Sequence, residues 1–204
     1  MDTKKMMAVH KDWAEISEQE RAKQLILTSY AKGQSDFDDA GVLDNDVEKF
    51  LFLGIEGNNV LDFGCGLGRN FPLLKRKFSV VDGFDLPNMI ELLKKDPNAE
   101  LATDLYDSWE FARVNEYEAI FASLVLQHIE VDYLRKYLED MTLMTDTLIL
   151  LSRSWLDKPL HDNVLAYVLD FFDIKWISTP PENVLNADPK EELHFKAVLT
   201  AAKP

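Results

Sequence analysis

The stretch N-V-L-D-F-G-C-G-L-G-R-N, residues 59–70, decides the fold class of this 204-residue chain. A short apolar run ends at Asp62, and glycines follow at the alternate positions 64, 66 and 68. The apolar residues favour a strand, and glycines permit a tight turn whose bare backbone can come close to a ligand. Residues 69–78 can then form the helix that closes the unit. The stretch therefore predicts a nucleotide-binding turn.

The glycine spacing distinguishes this turn from two other nucleotide-binding motifs. The dinucleotide fingerprint G-x-G-x-x-G would need a glycine at position 69, where the chain has Arg69. A Walker phosphate loop is excluded because no G-K-S or G-K-T follows. A nicotinamide-dependent oxidoreductase is thus a hypothesis that Arg69 disfavours.

Around the turn, short apolar runs alternate with helical patterns, which indicates a parallel sheet built from βαβ units. Two helices are predicted before the turn, over about residues 18–32 and from 45 or 46 to 53. The last two strands lack an intervening helix, which predicts an antiparallel pair at one sheet edge. We predict seven strands, at residues 59–63, 80–85, 100–103, 118–123, 147–152, 175–178 and 194–201.

The motif at residues 60–70 resembles the first motif of class I S-adenosylmethionine-dependent methyltransferases, especially the small group with V-L-D-x-G-C-G-x-G. The resemblance implies an α/β, Rossmann-like fold with a seven-stranded, mostly parallel sheet, an antiparallel last strand and flanking helices. It further implies that residues 1–57 form an N-terminal helical extension or lid, and that residues 58–204 form the methyltransferase domain. The implied cofactor is S-adenosylmethionine, whose product is S-adenosylhomocysteine.

Acidic residues close the first three predicted strands, where ligands bind in open parallel sheets. Asp62 ends the first strand. Asp85 lies 23 positions later, close to the spacing of about 20 at which an acid hydrogen-bonds ribose hydroxyls. Asp104 is predicted to end the third strand. By the resemblance, its carboxylate accepts a hydrogen bond from the adenine amino group, with the Leu105 N–H beside it. Asp107 is the alternative acid for this contact.

The resemblance also implies further contacts with the cofactor, from the glycine turn and from residues near the second and fourth strands. Cys65 is expected to be a small buried residue beneath the cofactor, since cysteine often packs as a hydrophobe, and not a nucleophile. The backbone carbonyl of Ala122 or Ser123 would accept a hydrogen bond from the cofactor ammonium group. The predicted contacts beyond the acids and Leu105 are Gly64, Cys65, Gly66, Gly68, Leu86, Met89, Ala122 and Ser123.

His128 is the candidate catalytic residue. It is the histidine of the L-x-H-I part of residues 118–129, which resembles the fourth motif of the family. Neutral imidazole can remove a proton near physiological pH, although such a histidine can also serve only to order its loop. Because a sulfonium methyl is already activated, alignment carries most of the acceleration, and only an acceptor such as a hydroxyl would need a base.

Composition limits the partners of the chain. The formal net charge of −14 is spread along the chain and disfavours nucleic acid. The single cysteine excludes an intrachain disulfide and a zinc site built of cysteines, and the histidines lack paired metal-ligand spacing, so no metal is predicted. No apolar run approaches the roughly 20 residues of a membrane span. Without an apolar leader, a cytoplasmic location is expected.

The sequence leaves the acceptor unnamed. A methyltransferase acting on a small molecule is the main hypothesis, and Arg153 and Trp155 after the fifth strand are candidates to line the acceptor pocket. The alternative is a methyltransferase-like fold that binds S-adenosylmethionine without catalysis, as a partner or regulatory protein.

Overall fold

Seven strands form one mixed sheet in the order β3-β2-β1-β4-β5-β7-β6. The computed structural model describes residues 11–30, 55, 57–156, 162–188 and 193–202. All pairs are parallel except those of β7, which runs antiparallel to both β5 and β6. The predicted α/β fold is thereby confirmed. The strands are β1 Gly57–Phe63, β2 Phe78–Phe84, β3 Leu105–Tyr106, β4 Ala119–Ser123, β5 Thr147–Arg153, β6 Phe172–Ile177 and β7 His194–Ala201.

Helices cover both faces of the sheet. They are α1 Lys11–Ala14, α2 Gln19–Tyr30, α3 Phe71–Lys75, α4 Pro87–Leu93, α5 Trp109–Ala112, α6 Val131–Met144, α7 Val164–Leu169 and α8 Pro181–Leu185, with 3-10 turns at Pro97–Leu101 and Leu126–His128. The predicted helix from 45 or 46 to 53 lies outside the described residues. Within the described ranges, no helix has the length and apolarity that crossing a bilayer requires.

The strand order reverses at β1, which pairs with β2 on one side and with β4 on the other. The chain builds outward through β1, β2 and β3, then returns to place β4 against the opposite edge of β1. In open α/β sheets, ligands bind beyond the carboxyl ends of the strands at such a reversal. The glycine turn directly follows β1, so the topology places it there.

Apolar side chains cover both faces of the central strands, so the sequences of these strands are continuous hydrophobic runs. On one face, Phe63, Trp109 and Tyr137 pack edge to face, with ring centroids 5.0 to 5.4 Å apart. On the other face, Phe71 and Phe121 are buried in a second cluster. The turn after β1 therefore rests on a packed scaffold.

The third strand differs from the prediction. Residues 97–101 form a 3-10 turn, because Pro97 lacks an N–H for a ladder and the Asp96 carboxylate accepts the Asn98 N–H at 3.0 Å. Strand β3 is only Leu105–Tyr106. Asp104 consequently precedes the third strand instead of ending it, and Asp107 is the first acid beyond its carboxyl end.

Three other predictions were also wrong: two element boundaries and the absence of a helix between the last two strands. Helix α3 spans five residues, Phe71–Lys75, instead of 69–78, because β2 already begins at Phe78. Strand β6 begins at Phe172 instead of at 175, because α7 ends at Leu169. The short helix α8 lies between β6 and β7. Phe172 continues the helical spacing of the apolar residues Val164, Leu165 and Val168, so spacing alone could not show that it begins a strand.

Candidate functional site

The turn after β1 depends on its glycines. The φ angles of Gly64, Gly66 and Gly68 are 74°, 57° and 70°, in the left-handed region that other residues adopt only with strain. Three such residues at alternate positions curl the backbone at the carboxyl end of β1. The alternate glycines in the sequence therefore correspond to a real backbone requirement.

Asp85 ties this turn to the loop after β2. Its Oδ2 accepts the Gly66 N–H at 2.6 Å, and its Oδ1 accepts the Leu86 N–H at 2.6 Å. The Phe84 carbonyl also accepts the N–H groups of Gly64 and Cys65, at 2.8 and 3.1 Å. Burial raises the pKa of Asp85 to about 6, although its two backbone hydrogen bonds act in the opposite direction. The predicted ribose acid is therefore also a structural link.

Asp62 is fully buried beside the turn. Neither of its carboxylate oxygens has a hydrogen-bond partner in the part of the chain that the structure describes. Burial, followed by the charge of Asp85, raises the pKa of Asp62 to about 8, while Arg69 and the nearby Asn70 side chain counter this increase. A buried carboxylate of this kind needs a donor or a cation to ionise at low cost. The site therefore suits a ligand that carries positive charge.

Cys65 is buried, as expected for a small packing residue. A β-carbon added at Gly83 of β2 would lie 3.0 Å from the Cys65 Sγ, so the turn packs closely on that strand. Burial, with the charges of Asp85 and Asp62, raises the pKa of the thiol well above its usual range. A thiol held protonated in this way is a poor nucleophile.

The loop after β4 forms the opposite wall of the crevice. Ala122 is buried within β4 and Ser123 ends the strand. Leu124 then has a φ of 52°, which is strained for a residue with a branched side chain. This conformation places Val125 against the turn, since a β-carbon at Gly64 would lie 2.7 Å from the Val125 Cβ. Sequence reasoning missed both residues, because leucine carries no signal for positive φ.

The two candidate adenine acids, Asp104 and Asp107, are both exposed and lie on opposite sides of β3. The side chain of Asp104 is exposed, its N–H donates to the Asp82 Oδ1 at 3.1 Å, and its carbonyl accepts the Gly83 N–H at 2.9 Å. These contacts place Asp104 beside the interior of β2. By contrast, the Asp85 N–H donates to the Tyr106 carbonyl at 3.2 Å. In the parallel register that pairs Gly83 with Leu105 and Phe84 with Tyr106, Asp107 is level with Asp85, whereas Asp104 and Leu105 lie before it.

Residues 13–19, which we call the N-terminal strap, cross the carboxyl end of the sheet. The Asn88 Nδ2 of α4 donates to the carbonyls of Trp13 and Ile16, both at 2.9 Å. The Gln19 Nε2 donates to the Leu92 carbonyl at 3.1 Å. Because α4 follows β2, these bonds fasten the strap to the side of the crevice where adenine binding is predicted.

Trp13 links this strap to His128. The two rings lie 5.9 Å apart between centroids, with planes inclined at 54°. His128 ends the 3-10 turn that follows β4, so Trp13 reaches from the β2 side of the site to the β4 side. Leu86 and Met89 are buried in the same apolar cluster as Ile16 of the strap. The turn, Asp62, Asp85 and His128 thus all lie at or just beyond the carboxyl ends of β1, β2 and β4.

No group of three or more metal-binding side chains occurs among the described residues.

Comparison with known proteins gives one family match. A family model described as a methyltransferase domain matches residues 38–158, more than half of the chain. No curated protein matches the sequence.

Solved structures of low sequence identity share the fold. The N-methyltransferase NodS from Bradyrhizobium japonicum WM9, in complex with S-adenosyl-L-homocysteine, has a TM-score of 0.63 at 11% identity, covering 89% of this chain and 99% of that one. Magnesium protoporphyrin IX methyltransferase from Synechocystis PCC 6803, with bound SAM, has a TM-score of 0.59 at 16% identity and covers 97% and 99%. A TehB-like SAM-dependent methyltransferase from Corynebacterium glutamicum has 0.55 at 19% identity and covers 80% and 92%.

Proposed function

The chain belongs to the methyltransferase-domain family, and from that membership we propose that it is an S-adenosylmethionine-dependent methyltransferase acting on a small-molecule acceptor. The observation that carries the proposal is the three-glycine turn held by Asp85 at the strand-order reversal. When bound, the cofactor supplies a methyl group on an electrophilic sulfonium.

The residues at the crevice fit this cofactor. The buried carboxylate of Asp62 has no hydrogen-bond partner among the described residues, so a cationic ligand would add to the partial compensation that Arg69 gives. The turn offers backbone without side chains, which lets a ligand approach closely. Each oxygen of Asp85 uses one lone pair for a backbone N–H, and a carboxylate retains further acceptor capacity for ribose hydroxyls.

The protein's contribution is then positioning and exclusion of water. Asp62 and Asp85 would hold the cofactor, with Gly64, Gly66 and Gly68 against its methionine end. Ala122 or Ser123 would accept from its ammonium group through a backbone carbonyl. Held from both sides in this way, the donor has a fixed orientation, which is the condition for a large proximity effect. Of the predicted adenine contacts, we propose Leu86, Met89 and Asp107, with Asp104 and Leu105 as the alternative.

The acceptor would enter beside His128 and the ends of β4 and β5. The Trp155 indole N–H is buried without a hydrogen-bond partner among the described residues, which suits an acceptor that offers an oxygen or nitrogen lone pair. The net charge of −14 supports a small molecule over a nucleic acid, whose phosphates it would repel. A cytoplasmic enzyme is part of the same proposal.

Calorimetric titration tests the cofactor assignment directly. S-adenosylmethionine and S-adenosylhomocysteine should bind the purified protein, and NAD should not. Binding of NAD alone would overturn the proposal. Transfer of labelled methyl from S-adenosylmethionine into a metabolite extract then tests catalysis. Cofactor binding with no labelled product in any extract would favour the non-catalytic alternative.

A further inference from the structure

Three exposed apolar side chains lie at one corner of the molecule. Phe111, Val114 and Leu143 are 68%, 75% and 78% exposed. Among the described residues only one other large apolar side chain, that of Leu185, is classed with them as exposed. Single exposed apolar residues are normal, but a group of them marks an interaction surface.

Contacts at two points hold the segment 113–117 along the last turns of α6. The Arg113 Nη1 lies 3.5 Å from the Asp140 carboxylate. Further along, the Tyr117 N–H donates to the Met144 carbonyl at 2.8 Å. The segment before β4 and the end of α6 therefore form one continuous surface.

The three apolar side chains belong to this surface. Val114 lies within the segment, and Leu143 follows Asp140 by three residues, so Leu143 and Asp140 project from the same side of α6. Phe111 precedes Val114 by three residues in the turn that ends α5, which gives those two a common side as well. We call Phe111, Val114 and Leu143 the corner patch.

The corner patch lies at the end of the sheet opposite the glycine turn. Val114 comes shortly before β4 begins, and Leu143 shortly before β5 begins. Strands β1, β4 and β5 are parallel, so their amino ends share one edge and their carboxyl ends the other. A partner on the corner patch would therefore leave the crevice open.

Acidic residues flank the corner patch in both segments. Residues 110–118 and 139–146 contain six acids and one base, Arg113, which already pairs with Glu110 at 2.7 Å and with Asp140. The last turn of α6 has no basic residue, although the helix dipole favours a cation there. The apolar surface thus has a negative rim. Its acids are Glu110, Glu116, Glu118, Glu139, Asp140 and Asp146.

We propose that the corner patch docks a partner protein through a segment that carries apolar side chains flanked by lysine or arginine. The apolar side chains bury the patch, and the cations meet the rim, as in interfaces with an apolar centre and complementary charge. A second copy of this chain lacks that chemistry, because a symmetric pair would bring the two acidic rims together. An anionic membrane surface is repelled by the same rim.

A model peptide with the proposed chemistry tests the surface. An amphipathic helix of leucine and lysine, about 18 residues or five turns long, should bind the whole chain in calorimetry, and binding should weaken as salt is added. The same peptide with glutamate in place of lysine should not bind.

Serine substitutions locate the binding site without touching the core. Phe111→Ser and Leu143→Ser should each weaken binding of the leucine–lysine peptide by about tenfold. Leu185→Ser is the matched control, because it removes an exposed leucine from α8, and it should bind like the unmodified protein. Equal binding in all three variants would mean that the peptide detects only net charge, which would overturn the proposal.

Other occupants give different results. No binding of the leucine–lysine peptide at millimolar concentration would overturn the proposal. A dimer in sedimentation that Leu143→Ser dissociates would assign the patch to a second copy, and binding to anionic vesicles that Leu143→Ser abolishes would assign it to a membrane. Either result would also overturn it. The assays contain no S-adenosylmethionine, so their outcome is independent of the proposed function.

Discussion

The Asp85 carboxylate accepts the Gly66 N–H at 2.6 Å and thereby joins the loop after β2 to the turn after β1. Its second oxygen holds the N–H of the next residue, Leu86, at the same distance. The spacing in the sequence assigns Asp85 to the ribose hydroxyls, but its carboxylate also binds backbone N–H groups of the protein itself. Loss of its charge should affect both the stability of the turn and the affinity for the cofactor.

Asp85→Asn removes the charge and one acceptor oxygen while keeping the shape of the side chain, so its effects do not come from lost packing. The amide retains one acceptor oxygen, so one backbone N–H loses its partner and the free energy of unfolding should fall by about 1–3 kcal/mol. Affinity for S-adenosylmethionine should fall at least about tenfold, a loss of about 1.4 kcal/mol. Chemical denaturation and calorimetry measure the two quantities.

Asp82→Asn is the matched control for Asp85→Asn. Asp82 lies on β2, three residues before Asp85, and accepts hydrogen bonds from the Tyr117 hydroxyl and the Asp104 N–H, both at 3.1 Å. Its replacement should lower stability and leave cofactor affinity unchanged. Equal affinity in Asp85→Asn and in the unmodified protein would contradict the ribose assignment.

Stability should fall as the pH rises, because of Asp62. Its pKa is about 8 in the folded protein and 3.8 in the reference state, so the folded state binds more protons between these values. The free energy of unfolding therefore decreases with pH across this window, by up to about 1.4 kcal/mol per pH unit for one proton. Asp85, with a pKa of about 6, adds to the lower part of the window.

Asp62→Asn removes the titrating carboxyl group and, with it, its contribution to the decrease of the free energy of unfolding with pH. Urea denaturation between pH 4.5 and 8 should show a shallower decrease in the variant than in the unmodified protein. The variant should also bind S-adenosylmethionine more weakly at pH 8, because the ionised carboxylate that balances a cation is missing. Identical pH profiles for the two proteins would show that Asp62 does not titrate in this window.

From the position of β3 we propose Asp107 as the adenine contact, with Asp104 as the alternative. Asp107→Asn should weaken S-adenosylmethionine binding by about tenfold, since an amide offers one acceptor oxygen and no charge. Asp104→Asn should change it less than about twofold. The reverse order of the two losses, measured by calorimetry, would restore Asp104 and show that the loop rearranges on binding.

Gly64→Ala should destabilise the protein by at least about 2 kcal/mol. The new β-carbon adds strain at a φ of 74° and lies 2.7 Å from the Val125 Cβ. Val125→Ala removes the Cγ1 methyl, 3.1 Å from the new β-carbon, and the closer Cγ2 methyl, but keeps the Cβ at 2.7 Å and the backbone strain, so the double variant should recover only part of the loss. Gly57→Ala is the control, because there a β-carbon meets the movable side chain of Glu118. Comparable losses at both glycines would argue against a special role for the turn.

Asn88→Ala should loosen the N-terminal strap, because one side chain supplies both hydrogen bonds to the carbonyls of Trp13 and Ile16. Amide hydrogen exchange over residues 13–19 should become faster, while exchange in the central strands should stay the same. Asn186→Ala is the control, since its Nδ2 donates to Glu182 within its own helix. Unchanged exchange in the strap would mean that the apolar contacts of Ile16 suffice to hold it.

Local pattern accounts for much of the fold. The alternate glycines predicted the turn, and alternating apolar and helical segments predicted seven strands with an antiparallel pair. The helical spacing of Tyr133, Leu134, Tyr137, Leu138 and Met141 matches the inner face of α6, where the last four are buried and Tyr133 is partly buried. Such features depend on neighbours in the chain, through backbone freedom and side-chain periodicity. The failures, at β3 and at the start of β6, occur where a strand is defined by its partner across the sheet.

The sequence by itself determined the class of fold, the position of the glycine turn and the acids near it, because these depend on residue type and local spacing. Only the tertiary structure decided what those acids contact. It showed that the Asp85 carboxylate accepts a hydrogen bond from the Gly66 N–H and that Asp107 lies beyond β3. It also showed that the Asp62 carboxylate is buried without a hydrogen-bond partner among the described residues. Hydrogen bonds between separate strands depend on register and burial, and both are set by the packing of the whole sheet.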